Sequence, residues 1–244
     1  MNDKKTNYDE FITIYNELDN FLRKELNVES GVTHSHLIRE MAKKNRIISR
    51  YSNELLTYAK LRNIIVHNPD KRHAHPIADP HGKVVEKYKR ILLSILRPPK
   101  AIDTIAIKRE NIYTASLNDS ALEVMQTMNK NTYTHVPIIE EEKLIGVFSE
   151  NTIFSYIVKT GDVLLERNFK IKEFLEFIHM DKHESESFAF VSREALVYDV
   201  EQMFADQLQD GKRLAVVFLT HSGSPDEKIL GMVTAWDVAG YKED

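Results

Sequence analysis

The chain has no cysteine among its 244 residues. This absence excludes disulfide bonds, zinc sites built from cysteine and thiol catalysis, and it is typical of a reducing compartment. Glycine and proline are scarce, with 8 and 7 residues, whereas 42% of the residues are hydrophobic and 29% are charged. This composition predicts globular domains with a buried core and argues against a disordered chain.

The sequence also lacks a long apolar run. The segment ILLSIL at 91–96 is far shorter than the roughly 20 apolar residues of a membrane-spanning helix. The N-terminal sequence MNDKKTNYDEF has no apolar stretch of the kind that a signal peptide requires. We therefore expect a cytoplasmic protein that makes no membrane contact.

Charge is distributed unevenly along the chain. Residues 1–100 contain 19 Lys and Arg against 12 Asp and Glu, a net charge of +7, while residues 101–244 contain 14 against 25, a net charge of −11. This asymmetry indicates two domains with different partners, and RNA would be attracted only to the basic part. Alternatively, the opposite charges serve to dock the two domains on each other.

Apolar residues recur at spacings of three and four through the first hundred residues, which predicts amphipathic helices. The helices are expected over 11–22, from about His36 to Asn45, from Ile48 to Ile65, and over 84–95. Together they predict a small bundle of about four helices. Pro98-Pro99 is the expected linker to the next domain.

After residue 100 the pattern changes to strand, helix, strand, strand, helix, and this order occurs twice, beginning with a strand predicted at 104–107. The period is roughly eighty residues, which indicates an internal repeat. In each copy a glycine precedes a hydroxyl residue by three positions, as Gly146 precedes Ser149 and Gly231 precedes Thr234. Each hydroxyl is well placed to cap the following helix. The expected fold is multidomain, α plus α/β, with domains at 1–97, 98–166 and 167–244.

The stretches HVPIIEEEKLIGVFSENTI and ILGMVTAWDV resemble CBS domains, and the tandem pair resembles a Bateman module over about 105–244. The family motif at the strand-to-helix junction is Gly, two apolar residues, Thr or Ser, two variable residues and Asp. The second copy matches it fully and ends in Asp237. The first copy has Thr152 in place of the Asp, which predicts one competent site and one degenerate site.

This resemblance implies an adenine nucleotide, AMP, ADP or ATP, as a regulatory ligand. Asp237 would bind the ribose, and Thr234 would lie near the phosphate, as would Ser149 in the first copy; helix N-termini favour phosphate. His135 matches a position that contacts phosphate in nucleotide-sensing members, and Arg213 is its predicted counterpart in the second copy. The alternative is that the pair binds no ligand and serves for dimerisation.

The stretch LRNIIVHNP near the end of the third predicted helix resembles the signature of HEPN domains, Arg, four to six residues and His, over a region of about 8–97. Arg62 and His67 fit the signature, and Asn63 occupies its polar position. The resemblance implies a metal-independent endoribonuclease whose composite site is formed by a homodimer.

The implied chemistry is coherent, because a neutral imidazole can accept the 2′-OH proton and a guanidinium can stabilise charge on the phosphate. Arg62 points about 140° around the helix from His67, so one helix alone does not aim both at one phosphate. The alternatives are RNA binding without cleavage, a noncatalytic nucleotide-binding regulator, and a dimeric scaffold. Histidines crowd residues 67–81 without regular ligand spacing, so no metal site is predicted.

Overall fold

The computed structural model describes residues 6–66, 77–161, 168–206, 208–209 and 211–241, with the backbone alone at 208–209. The chain divides into two compact units, Met1–Pro98 and Pro99–Asp244. No helix formed by the described residues has both the length and the apolar character needed to cross a membrane.

The first unit is helical, as predicted, and its core is built from the apolar stripes of its helices. Phe11, Leu18 and Leu22 of the first helix are fully buried, and so is Tyr88 of the last. Side-chain caps define several of the helix starts; for example, Thr6 forms a capping box with Asp9. The helices of this unit are α1 Asn7–Leu26, α2 His34–Ala42, α3 Arg46–Arg50, α4 Ser52–Val66 and α5 Gly82–Leu96.

The third predicted helix is two helices in the structure, and the prediction of one continuous helix is wrong. The break lies at Tyr51, whose φ of −98° and ψ of 12° leave the helical region. The spacing pattern continues across the break because both segments bury apolar residues in one core, with Ile48 and Leu55 both fully buried. Periodicity therefore identified the buried face but not the interruption.

The first repeat of the second unit contains a two-stranded antiparallel sheet with helices packed against it. Its elements are α6 Ala101–Thr104, β1 Ile107–Lys108, α7 Ala121–Asn131, β2 His135–Glu140, β3 Lys143–Ser149 and α8 Glu150–Thr160. The strand predicted at 104–107 is shorter than expected, because Thr104 ends α6 and only Ile107 of the predicted residues is extended. A short helix, α9 Leu175–Ile178, follows and crosses β3.

The second repeat forms a sheet with strand order β1-β7-β6-β4, in which β4 and β6 are parallel. Its elements are β4 Glu186–Ser192, α10 Val197–Ala205, β5 Leu208–Gln209, β6 Lys212–Thr220, β7 Gly231–Thr234 and α11 Ala235–Gly240. β1 belongs to this sheet although it lies in the first repeat, since Ile107 pairs with Met232. The two repeats are thereby tied together within the unit.

Candidate functional site

Two strand-to-helix junctions occupy equivalent positions in the repeats, one at Ser149 and the other at Thr234. In the first hairpin His135 lies opposite Ser149, and in the second Val216 lies opposite Thr234. Each glycine of the motif likewise faces its partner strand, with Gly146 paired to Ile138 and Gly231 paired to Leu219. The junctions can therefore be compared residue by residue.

The first junction is buried. Ser149 and Thr152 are each 1% exposed and form a capping box at the start of α8. The backbone N–H of Ser149 donates to Oγ1 of Thr152 at 3.0 Å, and the N–H of Thr152 donates to Oγ of Ser149 at 3.3 Å. Thr152 thus performs the capping role that an aspartate would perform here, without adding a charge.

Glu186 fills the space beside this first junction. Its Oε2 accepts from Oγ of Ser149 at 3.0 Å and lies 3.2 Å from Nδ1 of His183. Its Oε1 accepts from Nδ2 of Asn151 at 2.6 Å and lies 3.0 Å from Nε2 of His135. The carboxylate is 2% exposed, so four neighbouring side chains take the place of water around it.

The protein environment holds Glu186 in its ionised form. Burial alone would raise its pKa, but hydrogen bonds from His135 and His183, the charge of His135 and the amide of Asn151 outweigh burial, so the pKa lies well below its ordinary value. Nε2 of His183 lies 3.1 Å from the carbonyl oxygen of Val147. The His183 ring can donate to both acceptors only when both nitrogens carry a proton. The His183 ring thus lies between the Glu186 carboxylate and the backbone of β3.

The second junction is built on the same backbone motif but remains open. The backbone N–H and the hydroxyl of Thr234 both donate to Oδ2 of Asp237, each at 2.7 Å. Among the described residues, Oδ1 of Asp237 accepts no hydrogen bond. Both residues are half-buried, and the side-chain hydrogen bonds seen for them in the described part of the chain are only those between the two.

A cleft of about 530 Å³ opens beside Thr234. Its floor is apolar and comes from Ile107 and Met232, which are paired across β1 and β7. Trp236, 81% exposed, forms one wall, and residues 131–135 at the end of α7 and the start of β2 form the other. An apolar floor, an exposed aromatic ring and a few hydroxyl groups are the features of a small-molecule site. Asp237 lies behind Thr234, not among the lining residues.

His135 connects the open cleft to the closed network. It lines the cleft, yet both of its ring nitrogens have partners, since Nε2 meets Glu186 and Nδ1 lies 2.8 Å from Oγ1 of Thr134. A phosphate in the cleft would have to compete with these contacts for the ring. The phosphate-contact role predicted for His135 stays a prediction.

Arg213 is not the positional counterpart of His135. The pairing of β6 with β7 places Val216 opposite Thr234, three residues beyond Arg213. Arg213 pairs in register with Glu186 of β4, is exposed, and does not line the cleft. The correction has a simple reason, because register depends on hairpin pairing and not on the distance from an apolar run.

Of the predicted residues in the first unit, Arg62 and Asn63 lie in α4, and His67 lies outside the described residues. Nη1 of Arg62 donates to Oδ1 of Asn63 at a long 3.4 Å. Both residues line a cleft that also contains Asp19 and His34. Sequence reasoning missed Asp19 and His34 in this role, because they lie on other helices.

Sequence reasoning also missed Glu186 and His183. They lie in the polar stretch KHESESF, which gives no signal of burial, and Glu186 meets His135 across 51 residues of sequence. Within the described part of the chain, no group of three or more His, Asp and Glu side chains could hold a metal ion.

Comparison with known proteins identifies one family. Residues 105–159 match the model of the CBS domain, and the segment contains β1 and the whole of the β2-β3 hairpin. The first repeat is therefore a CBS domain, which confirms that part of the predicted resemblance. No curated protein matches the sequence.

Several solved structures are similar to this chain at low sequence identity. The structure of CBSX2 in complex with AMP is 14% identical, with a TM-score of 0.40 over 58% of this chain and 93% of that one. A signal-transduction protein with CBS domains from Burkholderia ambifaria MC40-6 is 12% identical, with a TM-score of 0.38 over 52% and 79%. A conserved domain from Neisseria meningitidis MC58 is 15% identical, with a TM-score of 0.42 over 65% and 87%.

A likeness at this level assigns no function. The comparisons also leave the HEPN resemblance of residues 8–97 without support, although a helical unit is compatible with it.

Proposed function

We propose that this protein is a noncatalytic regulator that binds one adenine nucleotide in the cleft beside Thr234. The observation that carries the proposal is the contrast between the two junctions. A cleft of about 530 Å³ lies at Thr234, whereas Glu186 and its four partners occupy the equivalent space at Ser149. The family resemblance of the Gly231, Thr234 and Asp237 motif supplies the choice of an adenine nucleotide.

The lining of the cleft suggests how each part of a nucleotide would be bound. The base would pack on the exposed ring of Trp236 and on the apolar floor of Ile107 and Met232. The ribose would lie toward Thr234, and its hydroxyls would donate to Oδ1 of Asp237 only after the Asp237 side chain turned toward the cleft, because Asp237 does not line it and Oδ2 is used by Thr234. The phosphate would lie toward Thr234 and the hydroxyl-rich segment that precedes β2.

Nucleotide binding can be measured through the protein's own fluorescence. The chain contains a single tryptophan, Trp236, and it lines the cleft. Titration with AMP, ADP and ATP is expected to change its emission with saturation, and the ligand that binds most tightly identifies the nucleotide. Calorimetric titration measures the same affinity independently of the fluorophore.

Two matched variants decide which junction binds. Thr234→Ala is expected to weaken binding about tenfold, since the loss of one hydrogen bond to a charged group costs about 1.5 kcal/mol. Ser149→Ala, the equivalent change in the closed junction, is expected to leave the affinity unchanged. Equal losses in both variants, or no saturable response to any of the three nucleotides, would contradict the proposal.

A homodimer is the proposed assembly. α8 exposes two apolar side chains one turn apart, Phe154 at 66% and Val158 at 67%, and a second copy of the chain could cover them. Sedimentation velocity of the full chain tests this, and a monomer at micromolar concentration would exclude it.

Ribonuclease activity and an RNA partner are not part of this proposal. His67 lies outside the described residues, so its distance from Arg62 provides no support for a composite site. An RNA cleavage assay in EDTA that compares the wild type with His67→Ala tests the hypothesis directly. Cleavage lost only in the variant would support a ribonuclease and overturn the noncatalytic assignment.

A further inference from the structure

Besides Oη of Tyr88, two buried polar atoms of the helical unit have no hydrogen-bond partner among the described residues, Nε2 of His34 and Nε of Arg62. Buried polar atoms in folded proteins are normally hydrogen-bonded, and an exception calls for an explanation. Both residues line one cleft of about 370 Å³, formed by α1, the start of α2, and α4. Two buried atoms without hydrogen-bond partners at one cleft indicate that a bound molecule supplies the missing partners.

His34 is oriented by Asp19. Its Nδ1 lies 2.7 Å from Oδ1 of Asp19, and its side chain is 4% exposed. Burial is the largest influence and lowers the pKa of His34, the hydrogen bond and charge of Asp19 raise it, and the charges of Arg23 and Arg62 lower it, so that the pKa lies below its ordinary value. The neutral ring therefore donates from Nδ1 to Asp19 and presents an unprotonated Nε2.

Among the described residues, the charges around the cleft leave one positive charge without a paired carboxylate. Nε of Arg23 forms an ion pair with Oδ2 of Asp19 at 2.6 Å, which balances those two residues. No carboxylate among the described residues pairs with Arg62, whose guanidinium lies 4.9 Å from the centre of the Tyr15 ring. Nη1 of this guanidinium donates one long hydrogen bond of 3.4 Å to Oδ1 of Asn63, and its Nε has no partner among the described residues. A fork of two N–H groups suits two oxygens of one anion.

The first turn of α2 adds to the preference for an anion. Thr33, His34 and Ser35 all line the cleft, and they form the N-cap and first two residues of a nine-residue helix. The unpaired N–H groups at a helix N-terminus favour negative charge. Tyr15 remains a neutral neighbour, because burial raises its pKa.

The chemistry of the cleft selects among anions. Arg62 needs an acceptor of two hydrogen bonds, whereas Nε2 of His34 needs a donor. A phosphate monoester provides both, because its second pKa is about 6 and one of its oxygens carries a proton at slightly acid pH. Sulfate and carboxylate have no such proton near neutral pH. The cleft volume is near the lower end of the range of about 300–1,000 Å³ found for small-molecule sites.

We propose that this cleft binds the phosphate group of a small phosphomonoester, with Arg62 donating to two phosphate oxygens and His34 Nε2 sharing a proton with a third. Asp19 is the positioning residue that fixes the orientation of the His34 ring. This site is separate from the cleft beside Thr234, and its existence does not depend on nucleotide binding there.

The test is a titration of the full chain with methyl phosphate. Binding is monitored through the NMR signals of the His34 ring and, independently, by calorimetry. At about pH 6 roughly half of the ester carries the shared proton, and at about pH 8 only about one molecule in a hundred does. Binding is therefore expected to weaken by about tenfold or more between these pH values, and sodium sulfate is expected to bind more weakly than methyl phosphate at about pH 6.

Arg62→Gln is expected to abolish the methyl phosphate response. Arg39→Gln is the matched control, since Arg39 is an exposed arginine of the neighbouring helix outside the cleft, and it should bind as the wild type does. His34→Gln should remove the pH dependence, and if that variant does not fold, Arg62→Gln alone decides. The absence of saturable binding by the wild type, equal binding of sulfate, or wild-type binding by Arg62→Gln would overturn the proposal.

Discussion

The two strand-to-helix junctions of the second unit have the same backbone design and opposite chemistry. In each one a glycine in the strand precedes a hydroxyl residue that caps the next helix, with a capping box completed three residues later. At Ser149 the junction is sealed and its polar groups bond to Glu186. At Thr234 it borders a cleft.

The difference shows that a helix cap and a binding site are separate properties of one motif. The capping box depends on residues three positions apart, so it forms in both copies. Whether a ligand can reach the cap depends on what lies across from it. In the first copy that neighbour is a carboxylate from β4, and in the second it is the open space beside Trp236.

The largest expected effect comes from removing the carboxylate that seals the first junction. Glu186→Ala removes the acceptor shared by the buried His183 and the half-buried His135, and removing the charged member of a buried hydrogen-bonded network costs about 3–5 kcal/mol. The free energy of unfolding, measured by urea denaturation with circular dichroism, should fall by that amount.

Asp237→Ala is the matched control for Glu186→Ala. It removes a carboxylate that accepts two hydrogen bonds at a half-buried junction, so its cost should be about 1–2 kcal/mol. If the two variants were equally destabilised, the described contrast between a sealed and an open junction would be wrong.

A smaller effect is expected from the glycines of the two motifs. A Cβ at residue 146 would overlap the carbonyl oxygen of Ile178, which is backbone and cannot rotate away. Gly146→Ala should therefore cost about 2–3 kcal/mol, since overpacking forces the backbone to shift. The measurement is the shift in unfolding midpoint by scanning calorimetry.

Gly231→Ala provides the comparison within the same protein. Its Cβ would lie 3.1 Å from the carbonyl oxygen of Ile107 and 3.1 Å from Cδ1 of Ile102, a flexible side-chain end. The expected cost is below that of Gly146→Ala, about 1 kcal/mol. The opposite order would show that α9 does not pack on β3 as closely as described.

The last expected effect is the acid sensitivity of the first junction. The pKa of Glu186 is lower in the folded chain than in the unfolded one, so the unfolded chain binds its proton first as the pH falls. The stability that this carboxylate contributes is present above its ordinary pKa of about 4.3 and is lost progressively below that value.

Glu186→Gln isolates this contribution, because the amide has similar shape and does not titrate. The difference in unfolding free energy between the wild type and Glu186→Gln should be largest at about pH 6 and shrink towards about pH 3. A difference that stays constant over this range would show that Glu186 is not held ionised by His135 and His183.

Local features of the fold could be predicted from sequence, and distant contacts could not. The caps at Ser149 and Thr234 were predictable because each depends on a spacing of three residues. The break at Tyr51 was missed because the apolar spacing runs through it. The Asp19–His34 pair joins two helices across 15 residues, and the sequence of neither helix predicts that these two side chains meet.

The candidate sites show the same division. The motif ending at Asp237 was visible in the sequence, but the cleft beside it also needs Ile107, which comes from β1 of the first repeat. Arg213 was assigned from its place before an apolar run, and only the pairing of β6 with β7 moved that position to Val216.

The sequence by itself determined the helical first unit, the repeated strand–helix pattern and the two capped junctions, because each follows from periodicities and contacts within a few residues. Only the tertiary structure decided that one junction is sealed and the other open. That outcome depends on a buried carboxylate, Glu186, meeting His135 from 51 residues away. The ionised form of Glu186 persists only where folding has placed hydrogen-bond donors around it, a condition that no short stretch of sequence contains.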